Sequence, residues 1–200
     1  DTTNEIQTLS FDAETSELTL SNGGTIDLST LKGLVLTSTD TIITCQDSWA
    51  PKTNFGGGNR VGATAIYLDG KAYVGLGANG PKKKDFWEYD PLNDTWTRKA
   101  DFAGPARYYA AAFALNQKIY VGGGNGDSNS YPQDFWEYDP VTDTWTQKAN
   151  FEGSARYLAT SFSLNGKGYV GLGYDGSNYK RDFWEYNPMA DTIGGTPWIQ

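Results

Sequence analysis

The sequence contains no histidine, and it has one cysteine and one methionine among 200 residues. Without histidine, a Ser-His-Asp triad, a zinc or copper site with imidazole ligands, and acid–base catalysis by imidazole are all excluded. Cys45 has no partner for a disulfide within the chain, and we interpret it as a small structural side chain. No run approaches about 18 consecutive apolar residues, so the sequence predicts no membrane span.

The charge of the chain is acidic and unevenly distributed. A formal net charge of −8 argues against a nucleic acid partner, because phosphate binding requires a basic surface. Residues 1–46 hold seven acidic residues, eleven Thr and five Ser, with one base, Lys32, and one aromatic residue, Phe11. We therefore predict two domains, which are an acidic, Thr/Ser-rich β connector or stalk at residues 1–46 and a second part at residues 47–200.

The second part contains an internal repeat of about 50 residues in three copies. Its most regular string is D-F-W-E-Y-D/N-P, at 85–91, 134–140 and 182–188. A turn and a further tryptophan follow each copy, at Trp96, Trp145 and Trp198. An arginine opens the apolar stretch of each repeat, at Arg60, Arg107 and Arg156.

Each repeat predicts four short antiparallel strands. In the middle copy we place them at residues 108–115, 118–122, 134–139 and 144–147. Two-residue turns join the first strand to the second, and they are Asp69-Gly70, Asn116-Gln117 and Asn165-Gly166. Asp-Gly and Asn-Gly favour hairpins because both residues tolerate positive φ. Four such strands every 50 residues or so are typical of a β-propeller blade, so the predicted fold class is all-β.

The arginine-led strand, the glycine-rich second strand (VGLG or VGGG), the tyrosine of Y-D-P and the tryptophan after the turn together resemble the kelch repeat. The resemblance covers residues 49–198, although two copies have G-L-G in place of a full Gly-Gly pair. Three blades are fewer than the four to eight or so of a closed propeller. We therefore expect the remaining blades to come from sequence outside these residues or from other chains, which makes a homo-oligomer or neighbouring subunits expected partners.

Residues that recur in every copy are predicted to hold the blades together, because a catalytic residue is needed only once. This group comprises Trp87, Trp96, Trp136, Trp145, Trp184, Trp198, Tyr89, Tyr138 and Tyr186. The recurrent carboxylates Glu88, Glu137 and Glu185 are expected to bond neighbouring backbone or lysines. Asp94 and Asp143 are expected to stabilise their turns by side-chain hydrogen bonds.

The ligand-binding candidates fall into two groups. The resemblance implies that Arg60, Arg107 and Arg156 lie near the mouth of a central channel, where guanidinium groups bind carboxylates; the alternative is an ion pair with an adjacent blade. The loops between second and third strands differ among copies, and loops on a rigid scaffold often carry function. The ligand-binding candidates in these loops are Lys82, Lys83, Lys84, Tyr131, Tyr174, Tyr179, Lys180 and Arg181. The alternative is that they are only solvated turn residues. The D-G-S-N and G-D-S-N-S strings are only a weak signal for calcium, and no cofactor is predicted.

Apolar residues alternate at Leu18–Leu20 and Ile26–Leu28 around Ser21–Gly24, which predicts a β-hairpin in the first part. This segment resembles connectors of bacterial surface and fibre proteins. The combined prediction is a non-enzymatic, extracellular bacterial surface protein whose blades bind a glycan or protein ligand in adhesion. The alternatives are a structural filament subunit built by pairing between protomers, an intracellular interaction protein, and a sugar-modifying enzyme of the sialic-acid mutarotase type; kelch-type copper oxidases require histidine.

Overall fold

The computed structural model describes residues 9–12, 17–20, 25–27, 49–192 and 195–200, which fall into two compact units divided between Trp49 and Ala50. In the first unit, β1 (Leu9–Asp12), β2 (Glu17–Leu20) and β3 (Thr25–Asp27) form an antiparallel sheet in the order β1-β2-β3. The predicted hairpin corresponds to β2 and β3, and β1 adds a strand that the sequence did not predict. Cys45 and the turn at Ser21–Gly24 lie outside the described residues.

The second unit contains three antiparallel sheets of four strands each, which we call blades A, B and C. Blade A consists of β4 (Thr64–Leu68), β5 (Lys71–Gly75), β6 (Phe86–Asp90) and β7 (Thr95–Lys99). Blade B consists of β9 (Ala111–Leu115), β10 (Lys118–Gly122), β12 (Phe135–Asp139) and β13 (Thr144–Lys148). Blade C consists of β14 (Thr160–Leu164), β15 (Lys167–Gly171), β16 (Phe183–Tyr186) and β17 (Trp198–Ile199). Consecutive strands are neighbours in every blade, which confirms the predicted blade architecture.

Short elements extend the two later blades. In blade B, β8 (Arg107–Tyr108) pairs with β11 (Asn125–Gly126), and a 3-10 turn at Asp127–Asn129 follows. In blade C, a single helical turn, α1 (Pro188–Thr192), precedes the last strand. Because β8 precedes the first strand and β11 follows the second, both lie at the end of the blade that carries the loop between second and third strands. We call this end of the blades the loop end.

The turns between first and second strands have the backbone conformation that the sequence predicted. Asn116 and Gln117 have φ values of 51° and 59°, and the Asp-Gly and Asn-Gly turns of the other blades are likewise positive at both residues. This pair of left-handed conformations matches the twist of two adjacent strands, and Asn, Asp and Gly adopt it at low cost. The hairpin prediction is therefore confirmed, including the copy in which glutamine replaces glycine.

A glycine at the end of each second strand allows a phenylalanine of the third strand to lie across it. Gly122 is paired with Phe135, and a Cβ at that glycine would be 2.1 Å from the phenylalanine ring. The same cross-strand pairing joins Gly75 to Phe86 and Gly171 to Phe183. The phenylalanine of the D-F-W motif and the last glycine of the second strand therefore recur together because they contact each other.

The hydrophobic cores lie between blades. Side chains alternate along each strand, so every sheet has two apolar faces. We call the face on the side of the preceding repeat the leading face and the face on the side of the following repeat the trailing face. Between blades A and B, the ring centroid of Phe86 lies 5.1 Å from those of Tyr138 and Trp145. Between blades B and C, the ring of Phe135 lies 5.0 Å from that of Trp198. Tyr138, Trp145 and Trp198 therefore contact the phenylalanine of the preceding blade, and these contacts hold neighbouring blades together.

In each blade, an aspartate before the fourth strand and the tryptophan of that strand both bond one residue of the chain segment that precedes the blade. We call this contact the Asp–Trp clamp. The backbone N–H groups of Thr53, Ala100 and Ala149 donate to the carboxylates of Asp94, Asp143 and Asp191 at 3.1, 2.8 and 3.3 Å. The carbonyl oxygens of the same three residues accept from the indoles of Trp96, Trp145 and Trp198 at 3.1, 3.1 and 3.4 Å. The D-x-W spacing of blades A and B thus satisfies both polar groups of one residue about a repeat earlier in the chain, and Asp191 and Trp198 do the same in blade C although they lie seven positions apart.

This clamp adds to the role predicted for Asp94 and Asp143, each of which also accepts a hydrogen bond across its turn from the tyrosine hydroxyl five residues earlier. The backbone N–H groups of the same turns are capped by Asp90 and Asp139, which accept from the N–H groups two residues later at 2.9 Å. Asp143 accepts a hydrogen bond of 2.6 Å from the hydroxyl of Tyr138, which is buried. The sequence pattern identified the carboxylates as structural but could not show that their partners belong to a different segment.

We predict that Asp143→Ala lowers the free energy of unfolding by about 1–3 kcal/mol, because it leaves the hydroxyl of Tyr138 without an acceptor. The equivalent Asp94→Ala is the matched control, since its partner Tyr89 is partly exposed and regains water. Urea denaturation of both variants measures the difference. Equal losses at the two positions would contradict the assignment of the effect to the buried hydroxyl.

Candidate functional site

The three predicted arginines lie inside the blades. The side chains of Arg60, Arg107 and Arg156 are 4%, 0% and 2% exposed, and each forms a bidentate ion pair, with Asp85, Asp134 and Asp182 in turn. Each aspartate opens the D-F-W motif of the arginine's own blade. The ion pair therefore lies within one blade, whereas the sequence analysis considered a pair with an adjacent blade.

The surroundings of each guanidinium complete its hydrogen bonding. Arg107 also donates to the carbonyls of Pro105 and Gly123 at 3.0 Å, and it lies 4.9 Å above the ring of Phe102. The indole of Trp136 donates to Asp134 at 2.7 Å, so the carboxylate is shared between two donors. A buried guanidinium whose donors are engaged in this way holds loop segments together and has little capacity left for a ligand.

The recurrent glutamates are likewise engaged in structural bonds. Glu88 accepts from Lys71 and from Tyr73 in blade A, and Glu185 accepts from Lys167 and Tyr169 in blade C. Blade B differs, because Lys118 pairs with Asp139 and Glu137 accepts from the Tyr120 hydroxyl at 2.6 Å. Burial, followed by the hydrogen bond to Glu137, raises the pKa of Tyr120 well above its ordinary value, so this tyrosine stays neutral.

The predicted tyrosines of the variable loops join a larger group that the loop end brings together. We call this group the tyrosine array, and its members are Tyr108, Tyr109, Tyr131, Tyr157, Tyr174 and Tyr179. Tyr108 and Tyr109 precede the first strand of blade B, and Tyr157 has the place of Tyr108 in blade C. The remaining three come from the loops between second and third strands.

Neighbouring rings of the array are in contact throughout. Centroid separations are 4.7 Å for Tyr108–Tyr109, 6.3 Å for Tyr109–Tyr157, 5.2 Å for Tyr131–Tyr157, 5.7 Å for Tyr157–Tyr174 and 5.0 Å for Tyr174–Tyr179. Burial and the neighbouring phenols raise the pKa of Tyr157, which lies at the centre of the array. The array is therefore a continuous aromatic surface with phenolic hydroxyl groups along it.

A basic cavity continues the array at blade A. Lys82 lies over the Tyr108 ring at 5.3 Å and donates to the side-chain oxygen of Asn125 at 3.0 Å. It also lines a cavity of about 410 Å³, together with Lys83, Lys84, Arg98 and Trp87 among others. Within the described part of the chain, Lys83 and Lys84 form no ion pair, whereas Arg98 pairs with Asp101. Two cationic side chains of this cavity thus remain without a fixed counter-charge.

The last two loop candidates, in blade C, have different environments. Lys180 forms an ion pair with Asp175, whose carboxylate also accepts from the N–H groups of Ser177 and Asn178 at 2.9 and 2.7 Å. The hydrogen bond from Lys180 and those from the loop backbone lower the pKa of Asp175. Arg181 is exposed and forms no ion pair among the described residues. The D-G-S-N string is thus a self-contained turn closed by a lysine.

Three members of the tyrosine array, Tyr131, Tyr174 and Tyr179, were predicted from the sequence, whereas Tyr108, Tyr109 and Tyr157 were not. These three lie in the segments that follow the recurrent arginines, which looked like ordinary strand beginnings. The available signal was that Val61 in blade A corresponds to tyrosine in the other two blades. Position-by-position alignment of the three copies would have revealed it.

In the described part of the chain, no group of three or more Cys, Asp or Glu side chains is arranged to hold a metal ion. None of the helices in that part is long and apolar enough to cross a membrane.

Comparison with known proteins shows a sequence motif and a likeness to solved structures. The kelch motif matches residues 106–152, which comprise β8 to β13 and the segment up to Glu152. No curated protein sequence matches the chain. The solved structure of YjhT matches with a TM-score of 0.64 and 19% sequence identity. The match covers 96% of this chain and 64% of the YjhT chain, so this chain spans less than two thirds of that protein, and the likeness concerns the fold alone.

We predict that Arg107→Met lowers the free energy of unfolding by about 3–5 kcal/mol, because it leaves Asp134 without its cation. Arg98→Met serves as the control, since that ion pair is exposed at both side chains and its loss costs about 1 kcal/mol or less. Chemical denaturation measures both. A variant at Arg107 as stable as the parent would show that the pair is not structural.

We also predict that the ion pair of Asp182 makes stability depend on pH in acid. The hydrogen bonds from Arg156 lower the pKa of Asp182 to about 2, below the ordinary value near 3.8. A depressed carboxylate pKa contributes stability that is complete above the unfolded-state pKa and disappears as pH falls through the folded-state pKa. Between about pH 4 and 2, the free energy of unfolding of Asp182→Asn should therefore fall less steeply than that of the parent.

Proposed function

Because the chain is built of kelch-type propeller blades, we propose that it acts as a non-enzymatic binding module. Its binding surface is the loop end, and the ligand is a saccharide that lies along the tyrosine array. The module belongs to an extracellular bacterial surface or fibre protein, in which residues 1–46 serve as the connector and binding serves adhesion. The acidic, Thr/Ser-rich composition of that segment supports this setting.

The observation that carries the proposal is the continuity of the array with the basic cavity. Saccharides present apolar C–H faces and hydroxyl groups together, and tyrosine offers a ring face and a polar edge in the same side chain. The array supplies six such rings, and Lys82 joins it to Lys83 and Lys84. This combination suits a glycan with a polar or anionic substituent at one end of the bound segment.

The rigidity of the scaffold supports binding by preformed contacts. Tyr131 comes from blade B and stacks on Tyr157 of blade C with an interplanar angle of 18°. The array therefore crosses a blade interface whose two sheets are fixed by the Asp–Trp clamps. Rings held in this way lose little conformational freedom when a ligand binds, which raises affinity for a given contact area.

The enzymatic alternative, a sugar mutarotase, needs an arginine and a carboxylate that are free to contact substrate. The three arginines considered for it are paired with aspartates inside their blades, which favours the binding module. The filament alternative concerns how chains associate, and it is compatible with a ligand surface at the loop end.

Binding to an array of immobilised glycans, followed by titration calorimetry with a retained saccharide, tests the proposal. Tyr174→Ala is expected to weaken binding by tenfold or more, since roughly 1.4 kcal/mol of contact free energy corresponds to tenfold. Leu92→Ala, at an exposed turn of the opposite end, should bind as the parent does. Retained affinity in Tyr174→Ala and Tyr131→Ala would refute the site, and conversion of the bound sugar observed by NMR would favour the enzyme.

A further inference from the structure

Two sheet faces of the blades remain uncovered in the described part of the chain. On the trailing face of blade C, Phe162, Leu164 and Phe183 are between 41% and 55% exposed. Their counterparts in blade B are buried, since Phe113, Leu115 and Phe135 are 3%, 7% and 1% exposed. At the other end, Tyr67 of blade A is 73% exposed on the leading face.

The internal interfaces show what these positions bind. The trailing face of blade A packs Ile66, Leu68, Tyr73 and Phe86 against Ile119, Val121 and Tyr138 of the leading face of blade B. The trailing face of blade B packs Phe113, Leu115 and Phe135 against Val170, Tyr186 and Trp198 of blade C. In both cases an aromatic and aliphatic trailing face meets a leading face that carries a tyrosine on the third strand and a tryptophan on the fourth.

The uncovered leading face of blade A has the same tyrosine and tryptophan, although Tyr67 takes the place of the small residues Ala114 and Ser163. Its third and fourth strands carry Tyr89 and Trp96, and its second strand carries Ala72 and Val74. Tyr89 is partly exposed, whereas the corresponding Tyr138 and Tyr186 are fully buried by a preceding blade. Each end of the blade stack thus offers the half of the recurring interface that the other end lacks.

The tyrosine array leads to the same pairing. Lys82 of blade A lies over Tyr108 of blade B, and Tyr131 of blade B stacks on Tyr157 of blade C. The equivalent residue of blade C is Tyr179, which is highly exposed, and the residue at the receiving position of blade A is Val61, which is exposed as well. A contact between Tyr179 and Val61 continues the series if blade C meets a blade A.

We infer that a second copy of this chain covers both faces, with the trailing face of blade C in each copy packed on the leading face of blade A in the other. Two copies give six blades, within the range of about four to eight at which propellers close, whereas three copies give nine. The contact is heterologous, and it forms a closed ring because two successive contacts return to the first copy. This inference is independent of the ligand proposed for the loop end.

Sedimentation equilibrium or light scattering of the chain of residues 1–200 measures the association. The expected mass is twice the 21.9 kDa of one chain. Phe183→Asp on the trailing face and Tyr67→Asp on the leading face should each raise the dimer dissociation constant by about 30-fold or more, as expected for a charge at an interface hot spot. Leu92→Asp is the matched control, because Leu92 is 93% exposed and its counterpart Val141, in a blade with two neighbours, is 87% exposed.

A mixture of the two face variants provides the discriminating measurement. Phe183→Asp retains an intact leading face and Tyr67→Asp an intact trailing face, so the mixture should form heterodimers through one intact contact while each variant alone is monomeric. Near-ultraviolet circular dichroism establishes that both variants are folded. A monomeric parent at all concentrations, or a Tyr67→Asp variant that dimerises as tightly as the parent, would overturn the inference. Dimerisation that is lost only when residues 1–48 are removed would assign the contact to that segment and overturn it as well.

Discussion

Each blade of this protein is a four-stranded sheet with apolar side chains on both faces, and neither face can be covered by residues of the same sheet. Leading face must therefore meet trailing face, as Phe86 meets Tyr138 and Trp145 between blades A and B. Hydrophobic burial is obtained only by stacking blades, because the free energy gained depends on apolar area removed from water. The remaining features of the structure follow from this requirement.

Stacking two twisted sheets with a fixed relative position also requires polar contacts, since apolar packing alone has no direction. The Asp–Trp clamp supplies them by engaging the N–H and the carbonyl of one residue in the segment that precedes each blade. The buried arginine–aspartate pair does the same within a blade, where it holds the segment before the first strand against the start of the third. These contacts fix the loop end, so that side chains from different blades become neighbours there.

The tyrosine array is a product of that arrangement. Tyr131 and Tyr157 lie 26 positions apart in the chain, and they stack only because blades B and C are held in register. A surface assembled across blade interfaces is rigid, and its composition can change in the variable loops without disturbing the core. The chain therefore has its invariant motifs inside the sheets and its variable residues at the loop end.

The sequence by itself determined the four strands of each blade, their turns and the presence of three blades within these residues, because alternation, positive-φ turn residues and the repeat are local patterns. It also predicted a structural role for the recurrent aromatic residues, since a residue present in every copy serves every blade. Only the tertiary structure decided the partners of Arg107 and Asp143, because the groups that they bind lie some 27 and 43 positions away. The same reason explains why Tyr108, Tyr109 and Tyr157 were missed: aromatic residues before a strand acquire a common surface only when neighbouring sheets stack.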